Sequence, residues 1–434
     1  MEGMKWAMLG AALAVGIASS SLAFSETLDE AWSVALQGDR TLAAAQDRLE
    51  SANAELSGAR GGRLPTVSTS ASVTRWNETP AFDFSVVGLP TQLPLFGGRE
   101  MQMSEARVSV PIYTGGETGH GIAAAQAGVA ARQSAAVAAM QGVKLMVAER
   151  YVDVLRAQSA LAASDSAVAS LTAHVADVND RYESGDVARN ELLAARVALA
   201  DAEQRQFQAR SALDLARSAY NRQLGRPFDA PVELDDRLPG LDPSLAGANP
   251  DSLVDLALER RGELLATQAK VDALEARSDA ARAGARPRVF ATGSYTFLEN
   301  QVLNRQDFWT VGIGFSWNVF DGGRARKTAA ALAGEARATS REKDDLETLI
   351  ALEVRSAWLS AREARERVRV GESAVEQAEE NLRVVRDRYR NGESTNTEAL
   401  DAERLRSQSI SNRDSARYDA ALADLRLARA AGSL

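Results

Sequence analysis

The chain has 434 residues, 45% apolar and 25% charged, with a formal charge of −9, two histidines and no cysteine. Without cysteine there is no thiolate metal site, no disulfide framework and no cysteine nucleophile. Two lone histidines, His120 and His174, argue against a zinc enzyme or a Ser-His-Asp triad, and the acidic balance argues against a nucleic-acid partner.

Residues 1–23 read as a secretory signal peptide: Lys5 supplies the positive n-region, Trp6 to Ala18 the apolar stretch, and Ser21 and Ala23 the small residues at the cut. Past it, no apolar run reaches the roughly 18 residues of a transmembrane helix.

The remainder is written twice. Leu64-Pro65-Thr66-Val67 returns as Arg286-Pro287-Arg288-Val289, and Val34–Gln46 aligns with Leu256–Gln268, both at a shift of 222. Val110–Gly116 returns as Trp317–Gly323, and Arg181–Gly185 as Arg388–Gly392, both at a shift of 207. The copies are residues 24–226 and 251–434. Five of the eleven prolines fall in the linker between them, residues 227–250.

Each copy predicts a helix, a strand pair, a very long helix, a turn and a further helix. Strands are expected near 66–76, 102–113, 288–299 and 308–320, where apolar and polar residues alternate. Trp309, Val311, Ile313, Phe315, Trp317 and Val319 make one apolar face. Strands of about 9 to 12 residues suffice to cross a bilayer when tilted. The alternative is a small soluble sheet packed on the helices. Four strands do not close a membrane barrel, and open edges are not tolerated in lipid. If these strands span, several chains share one barrel.

The long helices carry a heptad seam: Val168, Leu171, Val175, Val178 and Tyr182 in the first, Val375, Ala378, Leu382, Val385 and Tyr389 in the second. From Thr118 to Glu183 such a helix runs on the order of 100 Å and needs neighbours along its whole length. Gly185 and Gly392 follow, where φ > 0 ends a helix and lets the chain fold back. Thr395-Asn396-Thr397-Glu398 matches a capping box. His174 is expected on the surface or the seam, and His120 at a bend.

In their order and duplication, LPTV and RPRV, PIYTGG and NVFDGG, and above all RYESGDVARNELLAARVALADAE and RYRNGESTNTEALDAERLRSQS resemble the TolC-like outer membrane efflux protein family. The resemblance implies a mainly α fold with a β-barrel part: a homotrimer whose α-helical barrel is capped by a shared twelve-stranded transmembrane barrel. It implies a passive export duct in the outer membrane of a Gram-negative bacterium, with its helices in the periplasm, and neither enzyme activity nor a cofactor or metal. The implied partners are a periplasmic adaptor, an inner-membrane pump or ABC transporter, and outer-membrane lipid.

By the same resemblance, the adaptor docks at the tip turns: Tyr182, Gly185, Asp186 and Val187, with Tyr389, Gly392, Glu393 and Ser394. Glu191, Glu398 and Asp401 belong to an aperture gate, where carboxylates brought round one axis attract cations. The bland reading of Glu398 is the capping box, and of Asp401 an exposed helix residue. The family has a basic latch residue where Ser394 stands; Arg388 and Arg390 are candidate substitutes. Where Arg40 and Gly262 stand the family often has Pro, so the first helices of each copy are expected to start differently. A soluble periplasmic coiled-coil adaptor or scaffold is the competing function. The cargo, whether drug, metal or protein, is not written in the sequence.

Overall fold

A computed structural model describes residues 25–434 apart from 84–87, 89–91, 95–98, 239–244, 246 and 300–303. The signal-peptide reading of residues 1–23 lies outside the described residues.

The first copy contains α1 (Leu28–Gly38), α2 (Arg40–Gly61), β1 (Thr66–Arg75), β2 (Ala81–Asp83), β3 (Gln92–Pro94), β4 (Glu100–Tyr113), α3 (Glu117–Glu183) and α4 (Arg189–Gln223). The second contains α5 (Pro250–Arg260), α6 (Gly262–Ala283), β5 (Arg288–Leu298), β6 (Asp307–Ser316), α7 (Arg324–Arg390) and α8 (Asn396–Ala430). The long helices α3 and α7 have 67 residues each, and α4 and α8 have 35 each. At about 1.5 Å per residue the long pair runs on the order of 100 Å.

The single first helix expected in each copy is broken in two. In the first copy Asp39 makes the break: its Oδ1 accepts from Thr41 N–H at 2.7 Å and Leu42 N–H at 3.0 Å, so it caps α2 while ending α1. Its counterpart Arg261 is buried and ion-paired to Glu263 and Glu353. Gly262 follows because α6 touches α3: a Cβ there would lie 2.5 Å from the Ser134 carbonyl oxygen.

Two packed regions are related by the duplication. One joins Leu28, Ala31 and Ala35 of α1 to Val147, Tyr151 and Val154 of α3, Leu213 and Tyr220 of α4, and Leu425 of α8. The other joins Leu253 and Ala257 of α5 to Leu264 of α6, Ile350 and Val354 of α7, and Leu427 of α8. From there α3 and α4 run out as one antiparallel pair and α7 and α8 as another, with α3 also packed on α8. The heptad residues Leu171 and Val178, and Val375, Ala378, Leu382 and Tyr389, are buried along these pairs.

At the other end β1, β4, β5 and β6 form one antiparallel sheet in that order. A two-stranded β2–β3 ribbon, not foreseen from the sequence, stands beyond it. β6 is shorter than expected. Its ladder ends at Ser316 opposite Arg288, and Trp317 leaves it to donate its indole N–H to the Ala285 carbonyl at 3.0 Å. His120 sits in the first turn of α3 and not at a bend, its N–H bonded to the Gly116 carbonyl.

Candidate functional site: an open-edged sheet and a pinned helical tip

Period-two sequence dictates the two faces of the sheet. Val67, Val108, Gly293 and Val311 lie in one cross-strand row, and Ser68, Arg107, Ser294 and Thr310 in the adjacent row on the opposite face. The first face is apolar and meets solvent in the single chain: Trp309, Val311 and Ile313 are 75%, 77% and 79% exposed. On the second face β1 presents only hydroxyls, from Thr66, Ser68, Ser70, Ser72 and Thr74. Arg107 there pairs with Glu105 at 2.7 Å, and Ser294 with Thr310 at 2.8 Å. Among the described residues the outer strands β1 and β6 each have one partner strand, so each leaves one ladder edge open.

The helical tip lies at the far end. Gly185 (φ 84°) and Gly392 (φ 76°) adopt the left-handed conformation. Asp186 N–H bonds the Arg181 carbonyl and Glu393 N–H the Arg388 carbonyl, each at 2.8 Å, closing matched helix C-caps. Around these turns Tyr182, Asp186 and Glu393 are exposed, and Val187 and Ser394 are half-buried. Tyr389 is not at the surface. It packs inside with Val178, Leu192 and Ala195, its hydroxyl is buried without a hydrogen-bond partner among the described residues, and burial pushes the phenol above its usual range. The pseudo-equivalent tyrosines 182 and 389 have thus parted, one outward and one inward.

The three candidate gate carboxylates come from two helices, with Glu398 and Asp401 three residues apart on α8. Glu191 occupies the first turn of α4 and Glu398 that of α8. Thr395 Oγ1 accepts from Glu398 N–H at 3.2 Å, giving half of the capping box. The Glu398 carboxylate takes the Ser394 hydroxyl. That hydrogen bond, with Arg388 nearby, holds its carboxyl below the usual range. Asp401 is exposed, 3.7 Å from Arg404. With Asp201, Arg205 and Leu400 it lines a groove of about 420 Å³ where α3, α4 and α8 meet.

Sequence reasoning missed what joins the two hairpins. Arg181 on α3 donates to the Tyr389 carbonyl at 2.6 Å and the Arg390 carbonyl at 3.1 Å, with its guanidinium 4.9 Å from the Tyr389 ring. His174 is buried in the seam, its Nε2 2.7 Å from Asn396 Oδ1 and its ring 5.4 Å from that of Tyr389. Asn396 Nδ2 donates to the Glu191 carbonyl at 3.1 Å. Deeper, Glu403 is buried between Arg386 and Arg406. The duplication conceals this cluster, because the counterparts of His174 and Asn396 at the shift of 207 are Asn381 and Arg189. The one sequence signal was that His174 lies between Leu171 and Val178 at core spacing. Among the described residues no group of His, Asp or Glu is placed to hold a metal ion.

The comparisons bear on the whole architecture. Residues 31–226 and 253–433 match the model of the outer membrane efflux protein family. The outer membrane protein OprJ of Pseudomonas aeruginosa is 28% identical over 282 residues, covering 57% of this chain. The aligned part spans 58% of OprJ's own length. Among solved structures, the outer membrane protein VceC of Vibrio cholerae superposes with a TM-score of 0.81 at 19% identity, over 93% of this chain and 96% of that one. The CmeC outer membrane channel of Campylobacter jejuni gives 0.78 at 17% identity, over 94% and 85%. Two family segments that together match most of the sequence, on a duplicated fold with four antiparallel strands, settle the assignment: the chain belongs to the outer membrane efflux protein family, a family of outer-membrane transport channels and not of enzymes.

Proposed function

We propose that the chain is the exit duct of a tripartite efflux or type I secretion system, a passive export channel across the periplasm and the outer membrane. The observation that carries this reading is the sheet: an apolar face turned to solvent, a hydroxyl face opposite, and an open edge on each side. Open strand edges do not persist in lipid. Pairing β6 of one chain with β1 of the next removes every edge, and three chains give a twelve-stranded barrel with the hydroxyls inside.

The helices support the same closure. Val197, Phe207 and Leu215 on α4 and Leu349, Leu352 and Val370 on α7 are exposed apolar residues in the single chain. In a homotrimer α4 of one chain meets α7 of the next, and the helical pairs complete a second barrel in the periplasm. The tip turns, with the exposed Tyr182, Asp186 and Glu393, then face the inner membrane, where a periplasmic adaptor and an inner-membrane pump or ABC transporter would meet them. Glu191, Glu398 and Asp401 come round one axis only in that trimer, as a cation-attracting ring.

The test is to purify the mature protein from the outer-membrane fraction, compare heated and unheated samples on a denaturing gel, and reconstitute it in planar bilayers. A heat-modifiable trimer that conducts is expected. A monomer that dissolves without detergent and forms no pore overturns the reading and favours a soluble periplasmic scaffold.

A further inference from the structure

We propose that each seam between two chains of the trimer carries, at the periplasmic rim of the barrel, a seat for one anionic phospholipid, its phosphate held by Arg326 and Lys327 of one chain and Arg60 and Arg63 of the next. The proposal rests on the channel reading above and names the lipid that the rim selects.

The rim is where the sheet meets the helices, and four chain segments cross it: residues 60–65, 113–118, 283–288 and 316–327. Together they hold seven Lys or Arg and two carboxylates, in a chain whose formal charge is −9, so the basic excess is local. The two inner crossings spend their arginines inside the fold. Arg286 donates to the Gly115 carbonyl at 3.0 Å, and Arg288 pairs with Glu117 at 2.5 Å. The two outer crossings do not. Arg60 and Arg63 precede β1 at one edge of the sheet, and Arg326 and Lys327 follow β6 at the other. All four are exposed, and none makes a side-chain hydrogen bond or ion pair among the described residues. The start of α7 is itself already capped, because the Asp321 carboxylate accepts from Gly323 N–H and Ala325 N–H, each at 2.8 Å. The cations beyond that cap are free for an anion from outside the chain.

Apolar surface adjoins the same charges. Val319 and Phe320, past the end of the ladder at Ser316, are 76% and 89% exposed, and Leu64, just before β1, is 62% exposed. The indole of Trp317, bonded to the Ala285 carbonyl, fixes an aromatic ring at this level, where tryptophans mark a membrane interface. When β6 of one chain pairs with β1 of the next, Val319 and Phe320 come beside Leu64, and Arg326 and Lys327 beside Arg60 and Arg63. Neither half is a seat alone, and the neighbour completes it. The seat belongs to the seam and not to the middle of a chain, because the counterparts of Arg326 and Lys327 at the shift of 207 are Gly119 and His120. Unpartnered cations on the helix side and bare hydrocarbon on the sheet side match a phosphate diester carried on acyl chains. At the opposite end of the sheet Arg75 is matched by Glu100 at 3.4 Å.

The experiment is native mass spectrometry of the full mature trimer in detergent, with dioleoylphosphatidylglycerol added to one sample and dioleoylphosphatidylcholine to another. The parent is expected to keep up to three phosphatidylglycerol molecules per trimer and to prefer them to phosphatidylcholine roughly tenfold or more, since each cation near a membrane surface is worth about fivefold. Arg326→Gln with Lys327→Gln, and separately Arg60→Gln with Arg63→Gln, are each expected to lower that preference by roughly fivefold or more. Arg75→Gln, at the opposite end of the sheet, is the control and is expected to leave it unchanged. Phe320→Ser is expected to weaken retention of both lipids. Where a double variant yields no trimer, Lys327→Gln and Arg63→Gln alone carry the same test, with a smaller fall in the same direction. A parent that keeps the two lipids equally, or charge variants that keep phosphatidylglycerol as the parent does, overturn the seat and leave the channel reading standing. Displacement of phosphatidylglycerol by an equal concentration of glycerol 3-phosphate, which lacks the acyl chains, would make this a phosphate site and likewise overturn the lipid. A mature protein that forms no trimer overturns the channel reading itself.

Discussion

The hydroxyl of Tyr151, in the middle of α3, lies 2.7 Å from the carbonyl oxygen of Glu26 and 2.7 Å from that of Asp235. It thereby grips two chain segments that run side by side, Glu26 N–H bonding the Glu233 carbonyl and Asp235 N–H the Glu26 carbonyl. The Glu26 side chain completes the clasp, accepting from both terminal guanidinium nitrogens of Arg226 and from the hydroxyl of Tyr220. Residue Glu26, the linker, α3 and α4 are thus fastened at one point.

Removing that hydroxyl takes the donor from the Asp235 carbonyl in a buried site, while the Glu26 carbonyl keeps the Asp235 N–H. Tyr151→Phe is expected to lower stability by about 1–3 kcal/mol, read as an earlier thermal transition by circular dichroism in detergent. Tyr220→Phe is expected to cost less, because Arg226 still holds Glu26. Equal losses in the two variants would show that the clasp does not depend on the carbonyl pair.

The second fastening, in the other copy, is ionic and responds to pH. Arg261 and Arg429 converge on Glu263. Burial pushes the Glu263 carboxyl up, but the hydrogen bond from Arg429, its own backbone N–H and the charges of Arg429 and Arg261 together outweigh it, and the carboxyl lies below its ordinary value. A lowered folded-state pKa means stability that is present above the unfolded value, near 4.5, and lost as pH falls through the folded value. The thermal transition is expected to drop below about pH 4.5 in the parent and to change less over that range in Glu263→Gln. Parallel curves for the two would assign the acid loss to other carboxylates.

How much of this was legible follows from the range of the interactions. The duplicated plan, the long helices and the sheet faces are local patterns, a repeat offset, a proline-free run and an alternation, and each reads directly from the chain. The break at Asp39 was nearly readable, since a capping Asp stands before Arg40. The departure at Gly262 was visible as a departure, but its reason, the Ser134 carbonyl 2.5 Å from a would-be Cβ, belongs to another helix. The Tyr151 clasp and the Arg181 and His174 ties join residues more than 80 positions apart and copy neither repeat, so no window of sequence contains them.

At Gly262 close approach decides the residue. Gly262→Ala forces α6 away from α3 or distorts its first turn, and a loss of about 1–3 kcal/mol is expected, as for overpacking. Gly38→Ala, where a Cβ meets nothing within 4 Å, serves as the control and is expected to be neutral or slightly stabilising. The same thermal transition reads both.

For the aperture, replacing Glu398 and Asp401 together by alanine is expected to weaken block of the single-channel current by a divalent cation such as Co²⁺. Ser394→Ala is a subtler probe. It removes the hydroxyl that holds the Glu398 carboxyl below its usual range, so block by the same cation is expected to fade at a higher pH than in the parent. Block unchanged in the double variant would take both carboxylates out of the ring.

The strongest demand on the sheet is that adjacent rows behave oppositely. Val311 lies on the apolar face in the row with Val67 and Val108, whereas its neighbour Thr310 lies on the hydroxyl side beside Ser294 and Arg107. If lipid covers the first face, Val311→Arg places a charge against hydrocarbon and costs about 2–4 kcal/mol near the midplane. Thr310→Arg places the same charge in a wet lumen and is expected to assemble normally, shifting ion selectivity toward anions. The comparison holds side chain and strand constant and changes only the face, so the yield of heat-modifiable trimer in the outer-membrane fraction reads it directly. Equal yields from the two variants would mean that neither face meets lipid, and a loss from Thr310→Arg alone would mean that the sheet is turned the other way.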